Sequence, residues 1–268
     1  MVQGRTEIKD LLAAHGLKPQ RRLGQNFLAD PNLVERIVRT SAIGPGDRVV
    51  EVGAGTGTLT RALAATGARV VAYEIDRGLL PVLESVLAGT GVEVRAEDVT
   101  RTDFTTALDP GSWTMVANLP YNVGTPLVLD VLRHVPSIDR LIVMVQREVA
   151  DRLVAGPGSR LYGVPSVVAA LHAETRLAFT VPPEVFYPMP DVESAVVEIT
   201  RVSPAPLTEE AIELAGVVFR QRRKMLRRSL ADVCDDPVGV LTRVGIAATT
   251  RPEDLAPSDF VDIAGAIR

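Results

Sequence analysis

The pattern of apolar and polar positions predicts short buried strands that alternate with amphipathic helices. Val49, Val50 and Val52 form a β-branched apolar run typical of a buried strand, and residues 58–65 follow as a helix. Six further strands are predicted at residues 69–73, 92–95, 114–117, 140–145, 175–181 and 195–201. Strands that alternate with helices usually form a parallel sheet, so we predict an α/β fold with a doubly wound, seven-stranded, Rossmann-like sheet.

The segments outside this alternation predict two domains. Residues 7–15 have the spacing of an amphipathic helix, and Asp30-Pro31 is a typical helix start. Residues 182–194 form a stiff loop, because their prolines fix φ. After a linker at residues 203–207, helices are predicted at 209–218, 219–233, 238–244 and 257–267. We therefore expect a main domain over residues 1–203, with an N-terminal helical and loop extension at 1–30, and a small C-terminal helical domain over 204–268.

Composition fits a globular protein with a substantial core. The chain has 268 residues, of which 46% are hydrophobic, and its mean hydropathy is +0.17. No apolar run approaches the roughly 18 residues of a membrane-spanning helix, and the N-terminus lacks the apolar region of a signal peptide. Cys234 is the single cysteine, so no intrachain disulfide can form. These features predict a cytoplasmic protein that does not contact membranes.

The glycine loop after the first sheet strand favours one class of ligand over others. Gly53, Gly55 and Gly57 follow Glu51 in a Glu-x-Gly-x-Gly-x-Gly pattern. A dinucleotide fingerprint would place its third glycine where Thr58 stands, and a Walker loop would end in Gly-Lys-Ser/Thr. The pattern instead resembles motif I of the S-adenosylmethionine-dependent methyltransferases. NAD binding and a merely tight turn are the alternatives.

A glycine or a polar residue stands at the end of each of the first four strands of the predicted sheet. Gly53, Glu74, Asp98 and Asn118 stand at these strand ends, and ligands of such sheets bind at the carboxyl ends of the strands. Glu74 comes 21 positions after Gly53, where an acid can accept hydrogen bonds from ribose hydroxyls. The alternative for Glu74 is a cap on the following helix. We expect these four residues to converge on one ligand site.

The segment Asn118-Leu-Pro-Tyr121 resembles the (Asp/Asn/Ser)-Pro-Pro-(Tyr/Phe) motif of amino-group methyltransferases. The exocyclic amine of adenine is a poor nucleophile, because its lone pair is delocalised into the ring. The Asn118 side-chain oxygen and the Leu119 carbonyl could hold this amine with its lone pair toward a methyl group, while Pro120 fixes the turn. Tyr121 could stack on the base, a contact worth roughly 1–3 kcal/mol.

Taken together, the motifs resemble the ribosomal RNA adenine N6-dimethyltransferase family, and in particular its KsgA (RsmA) branch. The motifs in family order are Gln25-Asn-Phe-Leu28, the glycine loop, Glu74, Asp98, Asn118-Leu-Pro-Tyr121 and Phe186-x-Pro-x-Pro-x-Val-x-Ser194. Residues 219–230 and 251–260 resemble C-terminal signatures of that branch. The resemblance extends from Leu17 to Ile267.

The resemblance implies an S-adenosylmethionine-dependent methyltransferase and a set of site residues. Two adjacent adenosines near the 3′ end of the small-subunit rRNA would each receive two methyls, with a role in ribosome biogenesis. The implied cofactor-binding residues are Gln25, Asn26, Leu28, Gly53, Gly55, Glu74, Ile75, Asp98, Val99 and Asn118. The implied catalytic residues are Asn118, Leu119, Pro120, Tyr121 and Phe186, with Tyr121 and Phe186 expected to enclose a flipped target base.

Charge bears on the partner through its distribution along the chain. The net charge of −4 and the pI of about 5.5 argue mildly against a nucleic-acid partner. The basic residues nevertheless cluster, and we expect RNA contacts from Arg21, Arg22, Arg220, Arg222, Arg223, Lys224, Arg227 and Arg228. The second cluster could instead be the solvated face of an amphipathic helix. The three histidines show no metal-ligand spacing, so we expect no metal.

Two further functions are weighed against the small-subunit dimethyltransferase. One is the large-subunit rRNA adenine N6-methyltransferase of the antibiotic-resistance type, whose catalytic motifs are nearly the same. The other is a ribosome-assembly binding factor in which methylation is secondary. The basic segment at residues 219–228 favours the first function. We expect an immature small-subunit particle as the partner and a monomer as the active form.

Overall fold

The computed structural model describes residues 3–268, which fold into helices and strands in close alternation. Its strands are β1 Phe27–Leu28, β2 Arg48–Val52, β3 Arg69–Tyr73, β4 Glu93–Arg95, β5 Trp113–Asn118, β6 Ile138–Gln146, β7 Ala173–Val181, β8 Phe186–Tyr187 and β9 Ser194–Arg201. Its helices are α1 Arg5–Ala14, α2 Pro31–Ser41, α3 Thr58–Ala64, α4 Leu80–Val86, α5 Phe104–Ala107, α6 Gly124–His134, α7 Arg147–Leu153, α8 Val164–His172, α9 Thr208–Phe219, α10 Leu226–Ser229, α11 Pro237–Arg243 and α12 Pro257–Ile267. Within residues 3–268, no helix combines the length and the apolar character needed to cross a membrane.

Seven strands form one sheet in the order β4-β3-β2-β5-β6-β9-β7, which confirms the predicted α/β class. The pairs β3–β4, β2–β3, β2–β5 and β5–β6 are parallel, whereas β9 runs antiparallel to β6. The expectation of a wholly parallel sheet is therefore wrong at β9. The strand β9 lies between β6 and β7 in the sheet, and the segment that leads from β7 to β9 contains no α-helix, whereas parallel neighbours are usually joined by one.

The chain divides into two compact units. The first contains residues 1–150 and 176–200, and the second contains residues 151–175 and 201–268. The second unit thus takes in residues 151–175 as well as the C-terminal helices. A domain boundary at residue 203 stays a prediction.

The core of the first unit lies where helices cover the sheet. Asp30 caps α2 by accepting a hydrogen bond from the Leu33 amide at 3.0 Å, and Pro31 occupies the first turn. This start turns the buried face of α2, which includes Val34 and Ile37, onto the sheet residues Val49, Val70, Val116, Ile142 and Val196. A continuous apolar layer of this kind holds the strand ends in fixed positions.

The second unit is built around three packed rings. Phe219 lies between Tyr162 and Phe260, with ring centroids 5.8 Å and 5.9 Å apart. The Tyr162 hydroxyl donates a hydrogen bond to the Leu255 carbonyl at 2.9 Å, so the buried phenol is paired. Helix α9 packs against α8 and α12 around this aromatic cluster.

The predicted helix over residues 219–233 is wrong. Helix α9 ends at Phe219, residues 220–224 form a turn, and the short α10 begins at Leu226. The amides of Leu226 and Arg227 donate to the carbonyls of Thr250 and Ala248, at 2.7 Å and 3.4 Å. These tertiary hydrogen bonds replace the intrahelical ones that a continuous helix would form.

Candidate active site

A cleft opens at the carboxyl ends of the strands in the first unit. It lies at the edge of the sheet where ligands of doubly wound folds bind. The structure brings together here the glycine loop and the residues that end β3, β4 and β5. Its lining includes Gln25, Asn26, Phe27, Gly53, Gly55, Glu74, Ile75, Glu97, Asp98, Val99, Asn118, Leu119, Pro120 and Tyr121.

The glycine loop lets the backbone approach the cleft closely. Gly53 and Gly55 have φ of +77° and +58°, in the left-handed region that side chains rarely adopt. A Cβ added to Gly55 would lie 3.0 Å from the Phe27 ring. Phe27 therefore lies against the loop because Gly55 has no side chain, and the aromatic ring forms one wall of the cleft.

Glu74 presents its carboxylate to the same loop. One oxygen accepts a hydrogen bond from the Gly55 amide and the other from the Asp76 amide, each at 2.8 Å. The side chain is buried, and this burial raises the pKa of Glu74 above its usual value. Each oxygen still has a second lone pair, so Glu74 can accept hydrogen bonds from a ligand.

Asp98, which follows β4, is a second acceptor in the cleft lining. Its Oδ1 accepts hydrogen bonds from the Thr100 hydroxyl and amide, at 2.7 Å and 3.0 Å. These two bonds hold the pKa of Asp98 below its usual range, so the group is ionised at neutral pH. Ile75 and Val99 add apolar surface beside the two acids, and Ile75 is 48% exposed.

Asn118 is held by the chain segment that crosses the cleft. Its Nδ2 donates to the Asn26 carbonyl at 3.0 Å, so the amide's other atom, Oδ1, is the acceptor available to a ligand. The following amide, of Leu119, donates to the Met144 carbonyl at 3.0 Å and fixes the start of the turn. The Pro120 carbonyl accepts from the Val123 and Gly124 amides, each at 3.1 Å, and closes it.

Tyr121 lines the cleft through its ring and is held by its hydroxyl. The hydroxyl oxygen lies 2.8 Å from the Ser194 hydroxyl oxygen, so the two groups share a hydrogen bond. Burial raises the pKa of Tyr121 above its usual value, which keeps the phenol neutral. A neutral ring at the wall of a cleft can stack on a flat ligand.

Two residues expected in the site lie in the core instead. Phe186 has no exposed surface, pairs with Leu28 between β8 and β1, and packs in the same apolar cluster as Leu28. The ring fills the core and does not line the cleft, so the expectation that Phe186 encloses a flipped base stays a prediction. Leu28 borders a small adjacent cavity, and its neighbour Phe27 takes the expected place in the cleft wall.

Glu51 is a buried acid that is not among the predicted site residues. It is 1% exposed, and among the described residues its Oε2 has no hydrogen-bond partner. Burial, with the Glu74 carboxyl adding to it, raises the pKa of Glu51 to about 8. Glu51 borders the small cavity behind the cleft, which Gly53, Gly55 and Asn118 also line. Its position at the start of the Glu-x-Gly-x-Gly-x-Gly pattern is the sequence feature that could have predicted its place near the site.

The basic residues that were expected to contact RNA differ in their exposure and in their hydrogen bonds. Arg222 donates to the Glu253 carboxylate at 2.7 Å and to the Ser159 and Arg160 carbonyls at 2.8 Å, so it anchors the turn inside the second unit. Of the expected RNA-contacting residues in the second unit, the exposed ones are Arg220, Arg223, Lys224, Arg227 and Arg228. In the first unit, Arg21 and Arg22 are exposed in a short 3₁₀ turn, and the Arg22 guanidinium donates to the Gln20 side chain.

Comparison with known proteins identifies the family. The family model for ribosomal RNA adenine dimethylase matches residues 16–268. The chain belongs to this family. A small-subunit ribosomal RNA methyltransferase A from Leifsonia xyli subsp. xyli is a family relative that is 44% identical over 271 residues, covering 97% of each chain.

Solved structures of similar fold agree with this membership. A dimethyladenosine transferase from Plasmodium falciparum superposes with a TM-score of 0.76 at 22% identity, covering 88% of this chain and 95% of the other. The 23S rRNA methyltransferase ErmE superposes with a TM-score of 0.71 at 25% identity, covering 90% of this chain and 99% of the other. The seven-stranded sheet with its appended helices is thus a fold that known RNA methyltransferases share.

Proposed function

We propose that this chain is an rRNA adenine N6,N6-dimethyltransferase that takes methyl groups from S-adenosylmethionine. The observation that carries the proposal is the orientation of Asn118 at the end of β5. Its Nδ2 is engaged by the Asn26 carbonyl, which leaves Oδ1 for the exocyclic amine of a target adenine. Membership of the adenine dimethylase family supports this assignment.

The cleft residues fit S-adenosylmethionine by their chemistry. Glu74 would accept from the ribose hydroxyls and Asp98 from the adenine amine of the donor, with Ile75 and Val99 against the flat purine. Gly53, Gly55 and Asn26 would border the methionine end, and the positive φ of both glycines disfavours a side chain there. Gln25 would act on the donor through the segment that it holds, since its side chain bonds Asp76. When bound, this donor supplies an electrophilic methyl group.

The residues around the turn account for amine methylation without a strong base. Asn118 Oδ1 and the Leu119 carbonyl would accept from the two amine hydrogens and turn the nitrogen lone pair toward the methyl group. Pro120 fixes the turn, and Tyr121 would stack on the flipped base. The amine nitrogen loses a proton only after it has gained the methyl, so a general base of high pKa is not required beforehand. Phe186 would need to leave its core position to take part, and we do not assign it a stacking role.

For the target we propose two adjacent adenosines near the 3′ end of the small-subunit rRNA, within an immature ribosomal particle. The name of the 44% identical relative supports small-subunit rRNA. The exposed basic residues Arg21, Arg22, Arg220, Arg223, Lys224, Arg227 and Arg228 would contact RNA phosphates. We further propose a cytoplasmic monomer as the active form.

Methylation of large-subunit rRNA is the second candidate function, because the fold of the 23S rRNA methyltransferase ErmE is similar over 90% of this chain. The test is a comparison of substrates with one methyl donor. Purified protein and radiolabelled S-adenosylmethionine are incubated with small-subunit particles, large-subunit particles and protein-free rRNA, each isolated from cells that lack the modification.

The proposal predicts label in the small-subunit particle and N6,N6-dimethyladenosine as the nucleoside product. It also predicts that short naked RNA is a poor substrate, because a local basic surface needs a target of preformed shape. Label confined to large-subunit rRNA would favour the second candidate. Binding to the particle without any transfer would favour an assembly factor.

A further inference from the structure

Asp76 connects three segments of the chain that border the cleft. Its Oδ2 accepts hydrogen bonds from the Gln20 and Gln25 side-chain amides, each at 2.7 Å. Its Oδ1 accepts from the Gly78 amide at 3.0 Å, and its own amide donates to Glu74 at 2.8 Å. Asp76 is not among the residues that line the cleft, so its carboxylate acts between other residues.

The two glutamine amides cannot reverse their direction without losing other contacts. Gln25 Oε1 accepts from the Gln20 backbone amide at 2.7 Å. Gln20 Oε1 accepts from the Arg22 guanidinium at 2.8 Å and 3.0 Å. Rotating either amide would therefore place an NH₂ group against another donor. The network requires an acceptor with two lone pairs at the position of the Asp76 Oδ2 atom.

This network holds the segment that contributes one wall of the cleft. Residues 20–26 lead from the exposed Arg22 to Asn26, whose carbonyl accepts from Asn118. On its other side, Asp76 adjoins Glu74, which bonds the glycine loop. A single residue, through its carboxylate and its backbone amide, thus joins the segment that orients Asn118 to the acid that would face the donor ribose.

We propose that Asp76 is a positioning residue that fixes the Gln20–Asn26 segment over the donor site and thereby sets donor affinity. This inference rests on the proposed function, because it takes the cleft to be the S-adenosylmethionine site. Asp76 itself does not contact the donor. It contacts Glu74 through its backbone amide and holds the segment of Asn26 through the two glutamines, so the contacts with the glutamines depend on its carboxylate.

The substitution Asp76→Asn tests the network while leaving the local turn intact. Asparagine is as good a cap as aspartate, so the hydrogen bond from the Gly78 amide is preserved. Its NH₂ group would face the donors of Gln20 and Gln25, and neither can turn away. Affinity for S-adenosylmethionine, and for the demethylated product S-adenosylhomocysteine, should fall by about tenfold in calorimetry, as for a lost hydrogen bond to a charged group.

Asp103→Asn is the matched control for a loss of stability. Asp103 Oδ1 likewise accepts from a backbone amide and a hydroxyl of Thr105, at 2.9 Å and 2.6 Å, and Asp103 does not line the cleft. Both variants should keep a thermal midpoint close to that of the wild-type protein. Only Asp76→Asn should lose donor affinity, and its KM for the donor should rise more than its kcat falls.

A charge exchange separates positioning from simple damage. Gln25→Glu alone places a second carboxylate against Asp76 and should also weaken donor binding. In the double variant with Asp76→Asn and Gln25→Glu, the asparagine NH₂ can donate to the new glutamate, which still accepts from the Gln20 amide. The double variant should therefore bind the donor more tightly than either single variant.

Two different failures can be told apart. Equal donor affinity in the wild-type protein and Asp76→Asn, or additive losses in the double variant, would overturn the positioning role and leave the proposed function standing. No binding of S-adenosylmethionine by the wild-type protein would overturn the proposed function and the positioning role together.

Discussion

The hydroxyl oxygen of Tyr121 lies 2.8 Å from that of Ser194, although 73 residues separate them along the chain. Ser194 is fully buried at the start of β9, whereas Tyr121 follows the end of β5 and lines the cleft. The contact joins the last residue of Asn118-Leu-Pro-Tyr121 to the last residue of the Phe186–Ser194 motif. It holds the ring by its edge and leaves a face for stacking.

This contact predicts a graded response at Tyr121. Tyr121→Ala removes the ring and should lower kcat/KM on the particle by about 10- to 100-fold, as expected for a lost base stack of roughly 1–3 kcal/mol. Tyr121→Phe keeps the ring and loses one hydrogen bond, worth about 1 kcal/mol, so its effect should be small. Ser194→Ala serves as the control and should resemble Tyr121→Phe. Equal inactivity of Tyr121→Phe and Tyr121→Ala would implicate the hydroxyl and contradict stacking.

Glu51 predicts an unusual dependence of stability on pH in the donor-free protein. Burial raises its pKa from 4.5 to about 8, so the folded protein binds a proton there that the unfolded chain releases. The stabilising effect of this protonation is complete below about pH 4.5 and is lost as pH rises through about 8. The free energy of unfolding should therefore fall by up to ~1.4 kcal/mol per pH unit within this window, relative to a variant without the acid.

The measurement compares the wild-type protein with Glu51→Gln by urea denaturation across this pH range. The stability difference between them should change steadily with pH in favour of Glu51→Gln as pH rises. Glu35→Gln, at an exposed position on α2, should show no such change. A pH-independent difference for Glu51→Gln would mean that Glu51 is ionised in the folded protein throughout.

The basic residues of the second unit should separate into structural and RNA-contacting groups. Arg222→Ala should lower the thermal midpoint, since it breaks bonds to Glu253, Ser159 and Arg160. Replacing the exposed Arg223 and Lys224 by Ala should leave the midpoint unchanged but weaken particle binding. It should also flatten the salt dependence of binding, because fewer counterions are released.

Donor affinity measured by calorimetry is the control in both cases and should stay at the wild-type value. If the Arg223 and Lys224 double variant bound the particle with wild-type affinity and salt slope, these two residues would be merely solvated. In that case RNA contact would have to come from other basic residues, such as Arg227 and Arg228.

Much of the fold could be predicted because its signals are local. Apolar β-branched runs predicted the strands of the sheet, and Asp30-Pro31 predicted the start of α2. The direction of β9 and the turn after Phe219 could not be predicted in this way. They depend on hydrogen bonds between distant residues, such as those of Leu226 with Thr250 and of Arg222 with Ser159.

The same distinction between local signals and distant contacts applies to the candidate site. The ends of four strands could be expected to meet because parallel strands share one edge, and Gly53, Glu74, Asp98 and Asn118 do line one cleft. The contacts that hold these four residues in place could not be predicted from the sequence. Asp76 bonds Gln20 and Gln25 across more than 50 positions of the chain, and Phe186 is buried by packing that no local pattern indicates.

The central claim is that Asn118 holds the target amine, and single-turnover methyl transfer tests it most directly. Asn118→Ala should bind S-adenosylmethionine and the small-subunit particle, yet transfer methyl about 10²–10³-fold more slowly, by analogy with the loss of one preorganised group that stabilises a transition state. Asn32→Ala, at an exposed position on α2, is the matched control and should transfer at the wild-type rate. Near-normal transfer by Asn118→Ala, with donor and particle saturating, would contradict the account.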